Sequence, residues 1–484
     1  MTIDHWIAKA AQECPNKTAI YFDDKSISYD RFHAWTLSRA KALANAGLTK
    51  GDRVAWLGLN HPDVFVLLFA AARLGLILVP LNWRLTPAEL ATICTDCAPK
   101  LLIHDDTFAA TAQTLATPQM PAFHHSEPLP PHPDTAPQPV STDDPLLIVY
   151  TSGSTGTPKG VVLNQTALIA NAEMSIECHA LTPDDRALVV LPLFHVGGLN
   201  ILATPAFSIG ASIELHARFD PAAALDALNR CTTAIVVPTI LQAIMNQPDW
   251  AAAPLGNLRV LSIGSTDVPM GLVEAVHTRA IPLVQIYGAT ETAPLAIYQR
   301  PETAMATAGS IGQAGCRSTI RLVTDEQDVA DGTKGEIWVK GDATLSAYWN
   351  DPAQTRDAMT NGWFKTGDVA TRDTNGNYYF TDRVKNVIIS GGENIYPAEL
   401  ERVLNATPMI DEACVVSRPD PKWGEIPVAV VVSDQMSKGD VLALFHQQIA
   451  RYKHPRDVVF VDSLPRNAMG KIVPDDVKAL LGPN

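Results

Sequence analysis

Long apolar runs, cysteine and excess positive charge are all scarce in this chain of 484 residues. The most apolar stretch, VFVLLFAAARLGLILVP from Val64 to Pro80, is interrupted by Arg73 and falls short of the ~20 residues of a bilayer span. It reads as a buried helix followed by a strand. Only seven cysteines occur (Cys14, Cys94, Cys97, Cys178, Cys231, Cys316 and Cys414), scattered and odd in number, which predicts free thiols in a reducing compartment. Cys94 and Cys97 form a lone CxxC with no second pair or nearby His to complete a zinc site, so they are assigned to packing. Lys and Arg total 37 against 51 Asp and Glu, a balance of −14 that offers no electrostatic footprint for nucleic acid or an anionic membrane. The opening MTIDHWIAKA carries an acid and a Trp where a secretion signal needs a basic start and an apolar run, so a cytoplasmic protein is expected.

What is present is the composition of a globular enzyme, 46% hydrophobic and 18% charged, in a chain too long for one core. Asp30 is placed to cap a helix through ALANAG, with Gly47 ending it, and DRVAWLGL reads as the next strand. The rhythm repeats: LLIVY, RALVVLPLF, TAIVVPT, LRVLSI and LVQIY are apolar runs of strand length separated by helical segments. An α/β fold follows, with a large N-terminal region of layered, largely parallel sheets over residues 1–382. Beyond TDRVKNVIISGGENIYPAELE come a short helix led by Pro397, strands EACVVS and IPVAVVV, a helix from Asp440 to Tyr452, and VVFVD. This predicts a small α+β domain over 383–484. Prolines crowd the segment Pro118 to Pro145 around His124, His125 and His132, which reads as an exposed extended loop rather than a metal site.

Ligands of open α/β sheets gather beyond the carboxyl ends of the strands. Here LLIVY runs into TSGSTGTPKG, LVVLPLF into HVGG, LRVLSI into GST and LVQIY into GATE, loops that are small or polar throughout. The first, from Thr151 through Ser152, Gly153, Ser154, Thr155 and Gly156 to Lys159, has the hydroxyls, glycines and cation to wrap a triphosphate. It is not a Walker A loop: Pro158 stands where Gly must precede Lys159, and Gly160 replaces the Mg²⁺-holding Ser or Thr.

YTSGSTGTPKG resembles the phosphate-binding signature of the AMP-forming acyl-CoA synthetase, luciferase and peptide-synthetase adenylation family. IYGATE, GWFKTGD, TDRVKNVIISGG and LPRNAMGK resemble that family's later motifs, in the same order along nearly the whole chain. The resemblance implies ATP, Mg²⁺ and coenzyme A as co-reactants of a carboxylic acid. It implies that Glu291 holds Mg²⁺, Thr290 meets the α-phosphate and Tyr287 lies against adenine beside Gly264, Ser265 and Gly288. Asp368 would take the ribose hydroxyls and Arg383 a further nucleotide contact. Lys471 would neutralise charge as the carboxylate attacks phosphorus. Lys385 would be the hinge of a mobile C-terminal domain, Gly391 and Gly392 would let pantetheine pass, and Trp423 would lie near coenzyme A or pack the small domain.

His195 falls at the acid-pocket entrance of this family, where it would gate or position the acid. Val196, Gly197, Gly198 and Ile286 would line the pocket, with Asn200 and Thr239 as polar contributors. HVGGLN carries no Asp for an amino group, which disfavours amino acid activation, and no Lys or Arg for a second carboxylate. An uncharged aromatic or medium-chain acid is expected. NHPD, DVATRD and PDPKWGE look most like bacterial aryl-CoA ligases of the feruloyl or chlorobenzoate type and o-succinylbenzoate-CoA ligases. IGSTDVP departs from the GGA-type loop usual before the pocket. Loading of a phosphopantetheinyl carrier protein, or an inactive nucleotide-binding regulator, are the alternatives. Nothing in the sequence argues for or against a homodimer.

Overall fold

The computed structural model describes residues 1–130, 138–151, 158–264, 268–390, 393–446, 448–467 and 470–482. Contacts divide the chain into two compact units, one of residues 1–268, 272–320 and 339–364, the other of 269–271, 321–338 and 365–484.

The first unit is layered α/β, as the alternating pattern predicts. Its nine-stranded sheet runs, across the middle, through Leu283–Tyr287, Val260–Ile263, Thr233–Val236, Arg186–Val189, Ser212–Leu215 and Thr18–Phe22, all parallel. A seven-stranded sheet sets Pro145–Thr151, Ile77–Pro80, Arg53–Leu57, Leu101–His104 and Ala122–His124 side by side in parallel, with Lys159–Asn164 and Ala347–Tyr348 added antiparallel at one edge. The apolar stretch from Val64 becomes the helix Pro62–Leu74 and the strand Ile77–Pro80. Nearly every residue of that helix is buried, because it belongs to the principal core rather than to a surface. Proline opens it, and Gly75 at φ 68° closes it in the left-handed conformation that glycine adopts without strain. No described helix is long and apolar enough to cross a membrane.

Three local expectations are corrected. The helix Tyr29–Asn45 is capped by Ser28, whose hydroxyl accepts from the Arg31 N–H, so Asp30 sits in the first turn instead of capping it. The proline-rich segment contains the strand Ala122–His124, recruited because Leu101–His104 would otherwise present an unpaired edge. The helix expected from Asp440 to Tyr452 is Lys438–Ala443, started early by a capping box between Ser437 and Asp440 and followed by turns. Cys94 and Cys97 lie buried one turn apart on the helix Pro87–Cys97, and burial raises their thiols to about 11 and about 12, so they remain protonated packing groups.

In the second unit, antiparallel strands Trp363–Arg372 and Tyr378–Arg383 pair Asp368 with Arg383. A further sheet joins Glu393–Ile395, Ile388–Ser390, Gly424–Val432 and Glu412–Asp420, with Asp457–Phe460 parallel to Gly424–Val432. Its apolar face closes over Leu400 and Leu404 of the helix Pro397–Asn405, giving this sheet a core of its own.

Candidate active site

In the first unit the ends of adjacent parallel strands supply the predicted loops. Ile286 and Tyr287 finish the strand Leu283–Tyr287, and Gly264 follows Val260–Ile263 beside it. These strands approach so closely that a Cβ on Gly264 would lie 2.6 Å from the Ile286 carbonyl oxygen. Thr290 and Glu291 occupy a single 3₁₀ turn, Thr290–Thr292. The turn is tied by Thr292, whose hydroxyl accepts from the Ala289 N–H at 2.9 Å and donates to the Pro294 carbonyl at 2.8 Å.

The glycine-rich loop comes from the other sheet. Thr151 and Lys159 face each other across the strands Pro145–Thr151 and Lys159–Asn164. Ser152, Gly153, Ser154, Thr155 and Gly156, together with Ser265, lie outside the described residues. Next to Lys159–Asn164 runs the short strand Ala347–Tyr348, and its tyrosine links Lys159 to the Thr290–Thr292 turn. The Tyr348 hydroxyl donates to Glu291 Oε1 at 2.7 Å, the Lys159 ammonium lies 6.0 Å from the Tyr348 ring, and Lys159 donates to Gln354 Oε1 at 2.6 Å. The Leu345 N–H also donates to the Glu291 carbonyl at 2.8 Å. Burial first and the Glu291 charge second push the Tyr348 phenol well above its ordinary pKa, so it remains a donor. A carboxylate held by Tyr348, whose ring also faces the Lys159 ammonium, suits a divalent cation on a phosphate chain.

His195 caps a short helix, Val196–Gly198, after the strand Arg186–Val189. Its Nδ1 accepts from the Gly197 N–H at 3.0 Å, which places the proton of the neutral ring on Nε2. Val196, Gly197, Gly198 and Ile286 are buried. Asn200 is fully buried, and its amide nitrogen has no hydrogen-bond partner among the described residues. Thr239 is exposed at the start of the helix Pro238–Met245, which gives it no part in a buried lining. Beneath the loops, the wholly buried His179 bonds Ser262 Oγ at 3.0 Å, and burial lowers its pKa to about 4, so it is a neutral structural histidine.

In the second unit Asp368 follows Gly367, whose φ of 71° needs glycine. The Gly367 N–H donates to Glu336 Oε1 at 2.9 Å, which fixes the turn. Arg383 donates through Nε to Asp368 Oδ1 at 2.7 Å. Lys471 is offered by a tight loop in which its N–H donates to Asn467 Oδ1 at 3.1 Å and Asn467 N–H donates to its carbonyl at 2.9 Å, with Gly470 at φ 77°. Although the residue as a whole is exposed, desolvation at its ammonium, then the Arg383 charge, lower its pKa, and Asp368 opposes this. Lys385 sits in the 3₁₀ turn Val384–Asn386 directly after Arg383, and Gly391 and Gly392 lie outside the described residues. Trp423 is 40% exposed, with the Lys422 ammonium 4.8 Å and the Arg456 guanidinium 5.8 Å from its ring. It lies at a hairpin turn rather than in a core.

Residues 7–349 match the AMP-binding enzyme family and residues 399–471 match the AMP-binding enzyme C-terminal domain. The chain belongs to the AMP-binding enzymes. It is 43% identical to an indoleacetate–CoA ligase of Aromatoleum aromaticum, over 99% of this chain and 98% of that one. It is 38% identical to a feruloyl-CoA synthase of an Amycolatopsis species, with the same coverage. The o-succinylbenzoate coenzyme A synthetase of Bacillus subtilis, solved in complex with ATP and magnesium ion, superposes with a TM-score of 0.88 at 30% identity, covering 98% of this chain and 99% of that one.

Sequence reasoning missed Tyr348, Gln354 and Glu336 in this AMP-binding enzyme. AYWND carries no pattern that singles out its tyrosine. The pairing of Tyr348 with Val161 and the Leu345 N–H bond to the Glu291 carbonyl bring it to Glu291. Tyr348→Phe removes the hydrogen bond to Glu291 Oε1. The expected result is about a 10-fold higher KM for Mg-ATP with a smaller change in kcat, measured by steady-state kinetics at varied Mg-ATP.

Proposed function

We propose that this AMP-binding enzyme joins an uncharged aromatic carboxylic acid to coenzyme A in two steps, through an acyl-adenylate, in the cytoplasm. The observation that carries this is Glu291, held by the Tyr348 whose ring also faces Lys159. Its chemistry is that of a nucleoside triphosphate site built at strand ends. A Mg²⁺ ion held by Glu291 would neutralise the triphosphate. Thr290 and Lys159 then bind phosphate oxygens, while Tyr287, Gly264 and Gly288 flank adenine. Asp368 accepts from the ribose hydroxyls, and Arg383 supplies a further polar contact to the nucleotide.

The first step needs the carboxylate, not a base, because the acid is ionised at neutral pH and attacks phosphorus directly. Lys471 offsets the charge that accumulates between the attacking oxygen and the phosphate, and pyrophosphate leaves. AMP then becomes the leaving group that a carboxylate otherwise lacks, and the thiol of coenzyme A displaces it. Residues 1–382 act as the adenylating domain and 383–484 as the domain that delivers Lys471. Lys385 is the hinge, and Gly391, Gly392 and Trp423 serve coenzyme A.

The aromatic substrate is supported by the small, apolar, buried lining of Val196, Gly197, Gly198 and Ile286, and by relatives named for indoleacetate and ferulate. His195, with its proton on Nε2, is a donor that positions the acid. The test is pyrophosphate release from purified protein with Mg-ATP across aromatic, branched and medium-chain acids, with coenzyme A, a phosphopantetheinyl carrier protein or neither. Release specific to aromatic acids and raised by coenzyme A is the expected result. A preference for medium-chain acids, or stimulation by the carrier alone, would overturn the substrate or the acceptor, and no release with any acid would overturn the reaction.

A further inference from the structure

A second group of chemically capable side chains lies at the carboxyl edge of the seven-stranded sheet. The strands Arg53–Leu57, Leu101–His104 and Ala122–His124 are adjacent, parallel and level, with Leu57 opposite His104 and His104 opposite His124. Their continuations therefore emerge together: Asn60 and His61 from the first, Asp105 and Asp106 from the second, His125 from the third. His61 then caps the helix Pro62–Leu74, its Nδ1 accepting from the Asp63 N–H at 3.2 Å.

Asp63 is the centre of the group. It is only 1% exposed, and its Oδ2 lies 2.6 Å from His125 Nδ1 and 3.3 Å from His61 Nδ1. Arg39 takes the other oxygen, Oδ1, at 3.1 Å. One ligand atom from each of His61, Asp63 and His125 falls within 4.8 Å of the other two. The imidazoles of His61 and His125 have their centroids 4.5 Å apart, and His124 packs 4.3 Å from His125 while its Nε2 lies 3.1 Å from Asp106 Oδ1. Among the described residues in contact with this group, the carboxylates Asp63, Asp105 and Asp106 outnumber the guanidinium of Arg39, so the local charge favours a cation. The ligase chemistry proposed above uses none of these residues.

We propose that His61, Asp63 and His125 form a binding site for a borderline divalent transition metal such as Zn²⁺ or Co²⁺. Two imidazole nitrogens and one carboxylate oxygen are a donor set for such ions rather than for Mg²⁺ or Ca²⁺, and three protein ligands leave a fourth position for water. Metal bonds of about 2.0–2.2 Å set tetrahedral ligand atoms about 3.4 Å apart. The His61 Nδ1–Asp63 Oδ2 separation of 3.3 Å is already of this size, but Nδ1 has to give up the Asp63 N–H it accepts, and the His125–Asp63 contact of 2.6 Å has to open by roughly 0.8 Å as its shared proton leaves. Arg39 remains on Oδ1 and orients the carboxylate from the outer sphere. The ion would tie the edge strand Ala122–His124 to the helix Pro62–Leu74, so its role is to hold the border of the sheet.

The test uses untagged, chelator-treated full-length protein titrated with Co²⁺, read by visible absorption and by elemental analysis after gel filtration. One equivalent is expected, with an absorption band of four- or five-coordinate Co²⁺, and Zn²⁺ should displace it while millimolar Mg²⁺ should not. The double variant His61→Gln/His125→Gln should lose more than about 100-fold in Co²⁺ affinity, beyond the roughly 10- to 100-fold that loss of an outer-sphere partner costs. Glu291→Gln should keep full uptake. If the double variant does not fold, electron paramagnetic resonance of Cu²⁺ bound to the wild-type protein reads the ligands directly, and hyperfine splitting from imidazole nitrogen is expected. Uptake well below one equivalent, undiminished uptake by the folded double variant, or a Cu²⁺ spectrum without nitrogen splitting would each overturn the site.

Discussion

Lys471→Ala is expected to slow acyl-adenylate formation by about 10²–10³-fold, the cost typical of deleting one preorganised electrostatic contact to a transition state. Thioester formation from supplied acyl-adenylate and coenzyme A should change by less than about threefold, because the charge that Lys471 offsets has already departed with pyrophosphate. Single-turnover measurements of each half-reaction separate the two. Equal loss in both would place Lys471 in the architecture of the site rather than in the first step. The pH dependence carries the same test. In the proposed role Lys471 acts only as the cation, and desolvation and Arg383 lower its pKa. The adenylation rate should therefore decline as pH rises through a value below that of a free lysine, and Lys471→Arg should remove that decline even if its absolute rate is low.

Gly288→Ala is expected to be the most damaging single-methyl change in the proposed nucleotide site. A Cβ there would stand 1.6 Å from the Pro294 carbonyl oxygen and 2.9 Å from Thr292 Oγ1, the atom that ties the turn bearing Thr290 and Glu291. No rotamer relieves a clash with backbone, so the turn must move. A loss of about 3 kcal/mol or more in stability is expected, with KM for Mg-ATP raised at least 10-fold. Urea denaturation and Mg-ATP kinetics check both. Gly271→Ala is the control: its Cβ meets nothing within 4 Å and it lies in the helix Met270–His277, where alanine should stabilise by roughly 0.5–1 kcal/mol. If the two substitutions behave alike, close packing at Gly288 is not what shapes the turn.

The ordered motifs from Thr151 to Lys471 and the spacing of apolar runs were enough to establish the AMP-binding family, the α/β layering and the small C-terminal domain. Strands are legible because an apolar run of four or five residues next to a glycine or a polar loop is a local pattern, and every such run named above contains a strand in the structure, although RALVVLPLF is strand only over Arg186–Val189. Helix starts were less legible. Ser28 and Asp30 are equally good caps by composition, and only the direction of the chain decides which hydroxyl or carboxylate meets a free N–H.

Contacts between distant segments were decided by tertiary structure alone. Glu291 and Tyr348 stand 57 residues apart, and they meet because a two-residue strand happens to pair with Lys159–Asn164. His125 reaches Asp63 across 62 residues because a proline-rich segment with no strand pattern closes the edge of a sheet. Sequence determines local periodicity and the chemistry available at strand ends, since both depend on near neighbours. Strand order and register depend on how whole sheets bury their faces, and that energy is shared by residues scattered along the chain.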